Sequence, residues 1–358
     1  MRGNDRQQHE LFSYGGLDER IAADHPLRRI RTLADAALSR LASRFDAIYG
    51  DLGRPSIAPE KLLRAMLLQV LYSVRSERAL MDQMDLHLGF RWFAGLSLSD
   101  PVWDASTFSK NRERLLGGDI AVEFLTAVVA EARRKHWLSD ERFTVDGTLI
   151  DAWASKRSYQ PKDDPPAPGQ GSGRRGELRK RDLFRSTTDP EAHLYRKSTR
   201  EVARLSYLGH LVCDREQGLI AAASVTRATT KAEREAAVEL IENLEVRKRR
   251  IQVAADKGYD EQVFVERLRG LGATPQVTQY QGQRRSSIDR RTTRHATYQT
   301  AQRARQRIEP IFSWLKLVGG QRRTRFRGPD RVGWAFTFAA ATYHLMRMAR
   351  LSLNPASA

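Results

Sequence analysis

The chain has 358 residues, of which 41% are hydrophobic, so it is long enough for about two globular domains with real cores. Lysine and arginine number 61 against 43 acidic residues, a formal net charge of +18. This excess is typical of a protein with an anionic partner, and it favours nucleic acid or an anionic membrane surface. The single cysteine, Cys213, excludes a disulfide within the chain and a cysteine-based zinc finger.

Two further patterns bear on the cellular compartment. The longest apolar run begins at Trp334 and is broken by threonine, tyrosine and histidine, so it is shorter than the ~20 residues that a membrane span needs. The first 16 residues contain no apolar stretch typical of a secretion signal. We therefore expect a cytoplasmic protein that binds nucleic acid and no membrane.

Residues 1–138 are predicted to be mainly helical. Apolar residues recur at helical spacing from Leu27 to Leu41, Pro59 suits the first turn of a second helix, and Asp104 or Ser106 can cap a third. The third helix carries a group of basic side chains, Lys110, Arg112 and Arg114. Short helices with basic side chains on one side could form a helix-turn-helix-like DNA reader, and the alternative is an ordinary helical bundle with a solvated face.

The pattern changes at Arg142 to β-branched and aromatic residues, which predict a strand over "RFTVDGTLIDAWA". Two strands flank a turn at Asp214–Gly218, and a helix follows whose first residues, Thr230 to Glu233, fit a capping box. A strand ending at Asp256, a helix, another strand, a long helix over about 296–318 and an apolar core helix complete the order β-β-β-α-β-α-β-α-α. This order predicts a mixed five-stranded sheet flanked by helices, in which the fourth strand returns parallel to the first.

Residues 157–200 interrupt this plan because they are rich in proline and glycine and strongly basic. We predict an extended, mobile excursion. Gly171 to Gly176 matches the dinucleotide pattern G-x-G-x-x-G, but no strand precedes it, so the match lacks its structural context.

Two aspartates are candidate site residues. Asp146 lies on the first strand and Asp256 ends the fourth, and each has a structural alternative, a turn aspartate and a helix cap respectively. If these strands lie side by side and parallel, their equivalent ends are ~4.8 Å apart. Both carboxylates would then be within reach of one or two hard cations.

Glu309 is the only acid between Arg303 and Gly328, a stretch that holds eight cations. Arg305 lies four residues before it and Lys316 seven after it, so a straight helix would place all three on one face. Three carboxylates without histidine or cysteine suit Mg²⁺ or Mn²⁺. We interpret Glu309 as a metal ligand beside a DNA backbone, the alternative being a fortuitous surface glutamate. Pro310 predicts a kink or a helix restart at this point.

Several segments resemble the DDE transposases of bacterial insertion sequences, specifically the IS-five family. They are "VDGTLIDAWASKRSYQPKD", "STTDPEAHLYRKS", "AADKGYD", "RARQRIEPIFSWLKLVGG" and "RTRFRGPDRVGWAFTFAAATYHL". The resemblance covers residues from about 50 to 350. It implies a helical N-terminal domain (1–138) that binds DNA ends or dimerises, an RNase H-like catalytic domain (139–350) and a short tail (351–358).

By position in these motifs, the family's catalytic triad falls on Asp146, Asp256 and Glu309. The family signature Y-(2)-R-(3)-E-(6)-K corresponds to Gln302, Arg305, Glu309 and Lys316, so a glutamine replaces the tyrosine.

The resemblance implies a transposase that cleaves DNA and transfers the cut strand, using two Mg²⁺ or Mn²⁺ ions. The implied partners are double-stranded DNA, as terminal inverted repeats and target, and further copies of the chain in a dimer or larger assembly. We expect the basic residues of the last third to contact DNA, namely Arg305, Lys316, Arg322, Arg323, Arg325 and Arg327. Two alternatives remain: a nuclease of the same fold that does not join strands, and a DNA-binding derivative without catalysis.

Overall fold

A computed structural model describes residues 16–49, 56–164, 167, 170, 180–198, 201–245, 250–282 and 285–353. The dinucleotide-like Gly171 to Gly176 lies outside these ranges. None of the helices in the described ranges is both long and apolar enough to cross a membrane.

Helices build the N-terminal third, as predicted. They are α1 (Leu17–Arg20), α2 (Pro26–Ser39), α3 (Ala42–Ile48), α4 (Pro59–Leu71), α5 (Glu77–Leu86), α6 (Leu88–Ala94), α7 (Ala105–Leu116) and α8 (Ile120–Arg134). Pro59 occupies the first turn of α4, and the Asp104 carboxylate caps α7 by accepting a hydrogen bond from the Ser106 amide at 2.8 Å. The predicted second helix is in fact two, because the chain turns at Ser73, whose φ of 53° is outside the helical region.

The prediction of a basic face on α7 is wrong for Arg112. Arg112 is buried, and its guanidinium forms ion pairs with Glu77 at the start of α5 and with Glu113. A buried charge is tolerated when it is paired in this way. Arg112 therefore joins α7 to α5, whereas Lys110 stays exposed.

A mixed sheet forms the second part of the molecule. Its strands are β1 (Arg142–Asp151), β4 (His193–Tyr195), β5 (Arg204–Asp214), β6 (Ile220–Arg227), β7 (Gln252–Ala255) and β8 (Thr274–Val277). The antiparallel meander β1–β5–β6 comes first, and β7 then pairs parallel with β1 and β8 parallel with β7. The five predicted strands are present in the order β6–β5–β1–β7–β8. A sixth, short strand, β4, also pairs with β5. This is an RNase H-like sheet.

The excursion predicted at 157–200 is only partly extended. A second, two-stranded sheet pairs β2 (Tyr159–Pro161) with β3 (Phe184–Ser186), and the Tyr159 and Phe184 rings stack at 5.6 Å. Helix α9 (Lys180–Leu183) precedes β3. The prediction of a mobile segment falls mainly on residues outside the described ranges.

The helices that cover the sheet correct two predictions. They are α10 (Ala232–Glu242), α11 (Gln262–Gly270), α12 (Arg290–Thr293), α13 (Ala296–Ala304), α14 (Ile308–Leu317) and α15 (Pro329–Leu351). The capping box at Thr230 is wrong, since Thr229 accepts the hydrogen bond from the first amide of α10 and Glu233 is used elsewhere.

The long helix predicted over 296–318 is also wrong. A 3₁₀ turn at Arg305–Arg307 separates α13 from α14, so the helix restarts at Ile308, one residue before the position expected from Pro310.

One hydrophobic core joins the helical part to the sheet. The central helix α15 packs against α8, α2 and β6, and it has buried residues on all sides, as expected of a helix inside a core. Phe124 of α8 stacks on Phe338 of α15 at 5.7 Å. A second cluster fixes α14 on the sheet, because Ile308, Ile311 and Leu315 pack with Ile150 of β1.

Candidate active site

Two of the three predicted acids lie beside each other, where the parallel ladder between β1 and β7 ends. The parallel pairing of β1 and β7 runs as far as Thr144 opposite Ala254, and Asp146 and Asp256 each follow two residues later. Asp146 Oδ1 accepts a hydrogen bond from the Gly147 amide at 2.8 Å, and Asp256 Oδ1 accepts one from the Gly258 amide at 2.7 Å. Asp256 therefore caps a 3₁₀ turn (Lys257–Tyr259), which is close to the helix cap predicted as its structural alternative. It also lies near enough to Asp146 for the two charges to interact.

Burial perturbs the Asp146 carboxyl. Loss of solvent raises its pKa to about 6, and the negative charges of Asp256 and Glu233 add to this effect. The ammonium of Lys197 and the Gly147 amide act in the opposite direction. Buried carboxyl groups that lie beside other negative charges, and whose pKa is therefore raised, are common at functional sites and at cation sites.

Lys197 supplies positive charge at this point. Its Nζ lies 2.6 Å from the Gly147 carbonyl oxygen and 2.6 Å from Glu233 Oε1. Burial opposes the charged form of Lys197, but Glu233, Asp146 and Asp256 outweigh it and raise the lysine pKa. The lysine is therefore a cation that neutralises part of the acidic end of the sheet.

Sequence reasoning missed both partners of this ion pair. Lys197 lies in the segment "STTDPEAHLYRKS", from which the sequence predicts no role for the lysine, and the sequence around Glu233 predicts a helix cap. The only available signal was the presence of Lys197 in a segment that carried the family resemblance.

Gly147 leaves room for the ion pair beside β1. A Cβ at this position would lie 2.9 Å from Glu233 Oε1 and 3.2 Å from His210 Nδ1. His210 is buried opposite Gly147 on β5, and its Nε2 lies 2.7 Å from Thr226 Oγ1. Burial and the nearby Lys197 lower the His210 pKa to about 3, so the imidazole is neutral at pH 7.

Glu309 lies on α14, which packs against β1. Its neighbour Ile308 is fully buried, whereas Glu309 is exposed. By helical spacing Glu309 shares a face with Ser313 and Lys316, and these two line a groove along β1 together with Lys197. Glu309 is one turn from Ser313.

Within the described ranges, no three histidine, cysteine, aspartate or glutamate side chains lie close enough together to hold a metal ion. Asp146 and Asp256 interact electrostatically, and Glu309 is not among the groups that perturb Asp146. The oxygen-only chemistry of the pair fits a hard divalent cation, and the lysine ammonium beside the pair shows that this end of the sheet accepts positive charge.

The predicted DNA-contacting cations have different surroundings. Lys316 lines the groove with Arg322, and its pKa is lowered by burial and by the positive charge of Lys197. Arg305 lies in the 3₁₀ turn and not on α14, so the prediction that it shares a helix face with Glu309 is wrong. Its Nε is buried and finds no hydrogen-bond partner in the described part of the chain.

The segment that follows α14 pairs in parallel with the end of β1. The Asp151 amide donates to the Arg322 carbonyl at 3.0 Å and the Thr324 amide donates to the Asp151 carbonyl at 2.9 Å. Arg323 donates to the carbonyls of Ala152 and Trp153 and lies over the half-exposed Trp153 ring.

The other two arginines of this segment differ from each other. Arg325 donates to the Arg75 carbonyl of the helical part, and Arg327 is exposed. Arg323 and Arg325 thus have structural partners already.

Gln302, the residue in the position of the family tyrosine, has a structural role. Its Nε2 donates to the Gln276 carbonyl at 2.7 Å, and its Oε1 accepts a hydrogen bond from Thr278 Oγ1. Gln302 therefore fastens α13 to the end of β8.

Two family models match the chain. One, described as Transposase domain (DUF772), matches residues 16–114, and the other, described as Transposase DDE domain, matches residues 174–345. Neither model distinguishes the IS-five family from other families of the same kind. No curated protein matches the sequence.

Two solved structures of transposase complexes match the chain at low similarity. A piggyBac transposase synaptic complex with hairpin DNA is 9% identical at a TM-score of 0.42, covering 95% of this chain and 78% of that chain. A Mos1 strand transfer complex is 12% identical at a TM-score of 0.25, covering 93% of each chain. Because these scores are low, the fold assignment depends on the strand order described above.

Proposed function

Because the chain belongs to the DDE transposases, we propose that it binds the ends of an insertion sequence of the IS-five family, cleaves them and joins them to target DNA. The single observation that carries this proposal is that Asp146 and Asp256 lie beside each other, each two residues past the last pair of the parallel ladder between β1 and β7. Carboxylates in this position would hold the divalent metal ions that DDE transposases use.

Asp146, Asp256 and Glu309 are the proposed metal ligands. Glu309 shares a helix face with residues of the groove that contains Lys197, and its side chain is exposed. Bound divalent ions would activate the attacking oxygen and stabilise the leaving 3′ oxygen of a phosphodiester. Asp146 must be ionised to bind them, and its raised pKa makes binding weaken below about pH 6.

The residues of the chain itself bind and orient the DNA. Lys316 and Arg322 line the groove that also contains Lys197, and Arg305 lies in the 3₁₀ turn just before α14. We assign all three to phosphates that flank the scissile bond, where contacts position the substrate and carry little sequence information. Arg327 is assigned to the same surface. Arg323 and Arg325 are assigned a supporting role, because they hydrogen-bond to backbone carbonyls of the chain.

The N-terminal region is proposed to contact the terminal repeats. Residues 1–138 carry exposed cations such as Lys110, and their helices share a core with the sheet. We place the catalytic part at 139–350. The synapsis of two ends requires at least two copies of the chain.

A strand-transfer assay tests the proposal against a nuclease that cuts but does not join. Duplexes that carry one terminal repeat with a pre-cut 3′ end are incubated with Mg²⁺ and supercoiled plasmid. We expect joined products with wild-type protein and none with Asp256→Asn. Cleavage of uncut ends without any joined product would assign the chain to the nuclease class instead.

A further inference from the structure

The ion pair between Lys197 and Glu233 lies next to the proposed metal site. Lys197 Nζ contacts the carbonyl oxygen of Gly147, the residue directly after Asp146, and Glu233 Oε1, both at 2.6 Å. The charges of Asp146 and Asp256 act on the same ammonium. A cation from the chain is therefore already present where the acids are expected to bind a divalent ion.

The surroundings hold the ammonium in this place. Gly147 has no side chain, which lets Glu233 approach β1, and a Cβ there would lie 2.9 Å from the glutamate oxygen. His210, which also lies beside Gly147, is neutral and adds no positive charge. The ammonium is thus the local charge that balances Asp146 and Asp256, and Glu233 is the side chain that fixes its position.

We propose that Lys197 is a tethered counter-ion that competes with the divalent metal ion for Asp146 and Asp256, and that Glu233 holds the lysine in the competing position. This inference depends on the proposed function, since it assumes that the two aspartates bind the metal. Two cations within ~5 Å repel each other strongly at the edge of a protein. The ammonium therefore opposes metal binding, and removal of the lysine charge should strengthen metal binding by about tenfold or more.

Direct Mn²⁺ binding to the full-length chain without DNA tests the competition. Free Mn²⁺ is measured by electron paramagnetic resonance during a titration of wild type, Lys197→Met, Lys197→Arg and Lys110→Met. Lys197→Met should bind Mn²⁺ about tenfold or more tightly than wild type, whereas Lys197→Arg, which keeps the charge, should resemble wild type. Lys110→Met removes an exposed lysine from α7 and should change nothing. Equal affinity of Lys197→Met and wild type would overturn the inference.

The role of Glu233 is tested with its charge retained. Glu233→Asp is one methylene shorter and loses the contact with Lys197, so Mn²⁺ affinity should rise part of the way toward that of Lys197→Met. In the Lys197→Met background, Glu233→Asp should have no further effect. A weaker Mn²⁺ affinity of Glu233→Asp in both backgrounds would make Glu233 a metal ligand and refute its role as the holder of Lys197.

A third variant separates this inference from the proposed function. Asp146→Asn should lose most of its Mn²⁺ affinity, and wild-type affinity in this variant would contradict the proposed metal site itself. Weakened binding in Asp146→Asn together with unchanged binding in Lys197→Met would leave the metal site standing and remove only the competition. Thermal melts of each variant without metal confirm that the chains compared are folded.

Discussion

Asp146→Asn should stabilise the metal-free protein at neutral pH. The carboxyl has a pKa of about 6 in the folded chain against 3.8 as the reference, because it is buried beside Asp256 and Glu233. Since one pKa unit corresponds to ~1.4 kcal/mol, ionised Asp146 costs the fold about 2 to 3 kcal/mol above pH 6. Asparagine keeps the size of the side chain and an oxygen that can accept the Gly147 hydrogen bond, and it carries no charge.

The sign of the pH dependence follows from the raised pKa. Between about pH 4 and pH 6 the folded chain binds more protons at Asp146 than the unfolded chain, so the stability of the wild type falls as the pH rises through this range. The advantage of Asp146→Asn is therefore small near pH 4.5 and complete at pH 8.

Urea unfolding in the presence of a chelator measures this difference at the two pH values. Asp18→Asn is a useful control, because hydrogen bonds from Arg28 and Trp92 lower the pKa of Asp18 and its replacement should destabilise the chain at pH 8. If Asp146→Asn is no more stable than wild type at pH 8, or if its advantage is equal at both pH values, the electrostatic account of the site is wrong.

Three further predictions concern the groove, the glycine and the helical part. Lys316→Ala should weaken binding equally on terminal and random DNA and lower the salt slope of binding by about one unit, and an unchanged slope would refute a phosphate contact. Gly147→Ala should destabilise the fold by about 1–3 kcal/mol in thermal or urea unfolding, since its Cβ would approach Glu233 Oε1 to 2.9 Å, and wild-type stability would show that Glu233 moves freely. Lys110→Ala should weaken the binding of terminal-repeat DNA in a gel-shift titration if residues 1–138 contact the ends, and unchanged affinity would remove Lys110 from that surface.

The sheet was predictable because its signals are local and repeated. Alternating and β-branched residues mark β1, β5 and β6, and the helix between β6 and β7 makes a parallel return beside β1 the natural arrangement. That arrangement alone brings Asp146 and Asp256 beside each other.

The remaining features depend on long-range contacts that a linear pattern does not encode. Glu233 at the start of a helix has the same local sequence whether it caps the helix or binds a lysine 36 residues earlier, and the fold selects the lysine. Arg112 looked like a surface cation because its helix is basic, and its buried partner Glu77 lies on another helix. The start of a new helix at Ile308 is the exception, since Pro310 predicts its position to within one residue.

The most direct test of the transposase assignment is an assay of metal-dependent cleavage at a terminal repeat. It compares wild type with variants in which one proposed metal ligand is replaced. Wild type, Asp146→Asn, Asp256→Asn and Glu309→Gln are incubated with an end-labelled duplex in Mg²⁺, and DNA binding is measured on the same preparations. We predict that wild type releases the 3′ end of the element and that each variant binds the duplex but does not cut it. Cleavage by Glu309→Gln at the wild-type rate would contradict the assignment of Glu309 as the third carboxylate, and cleavage by all three variants would contradict the site itself.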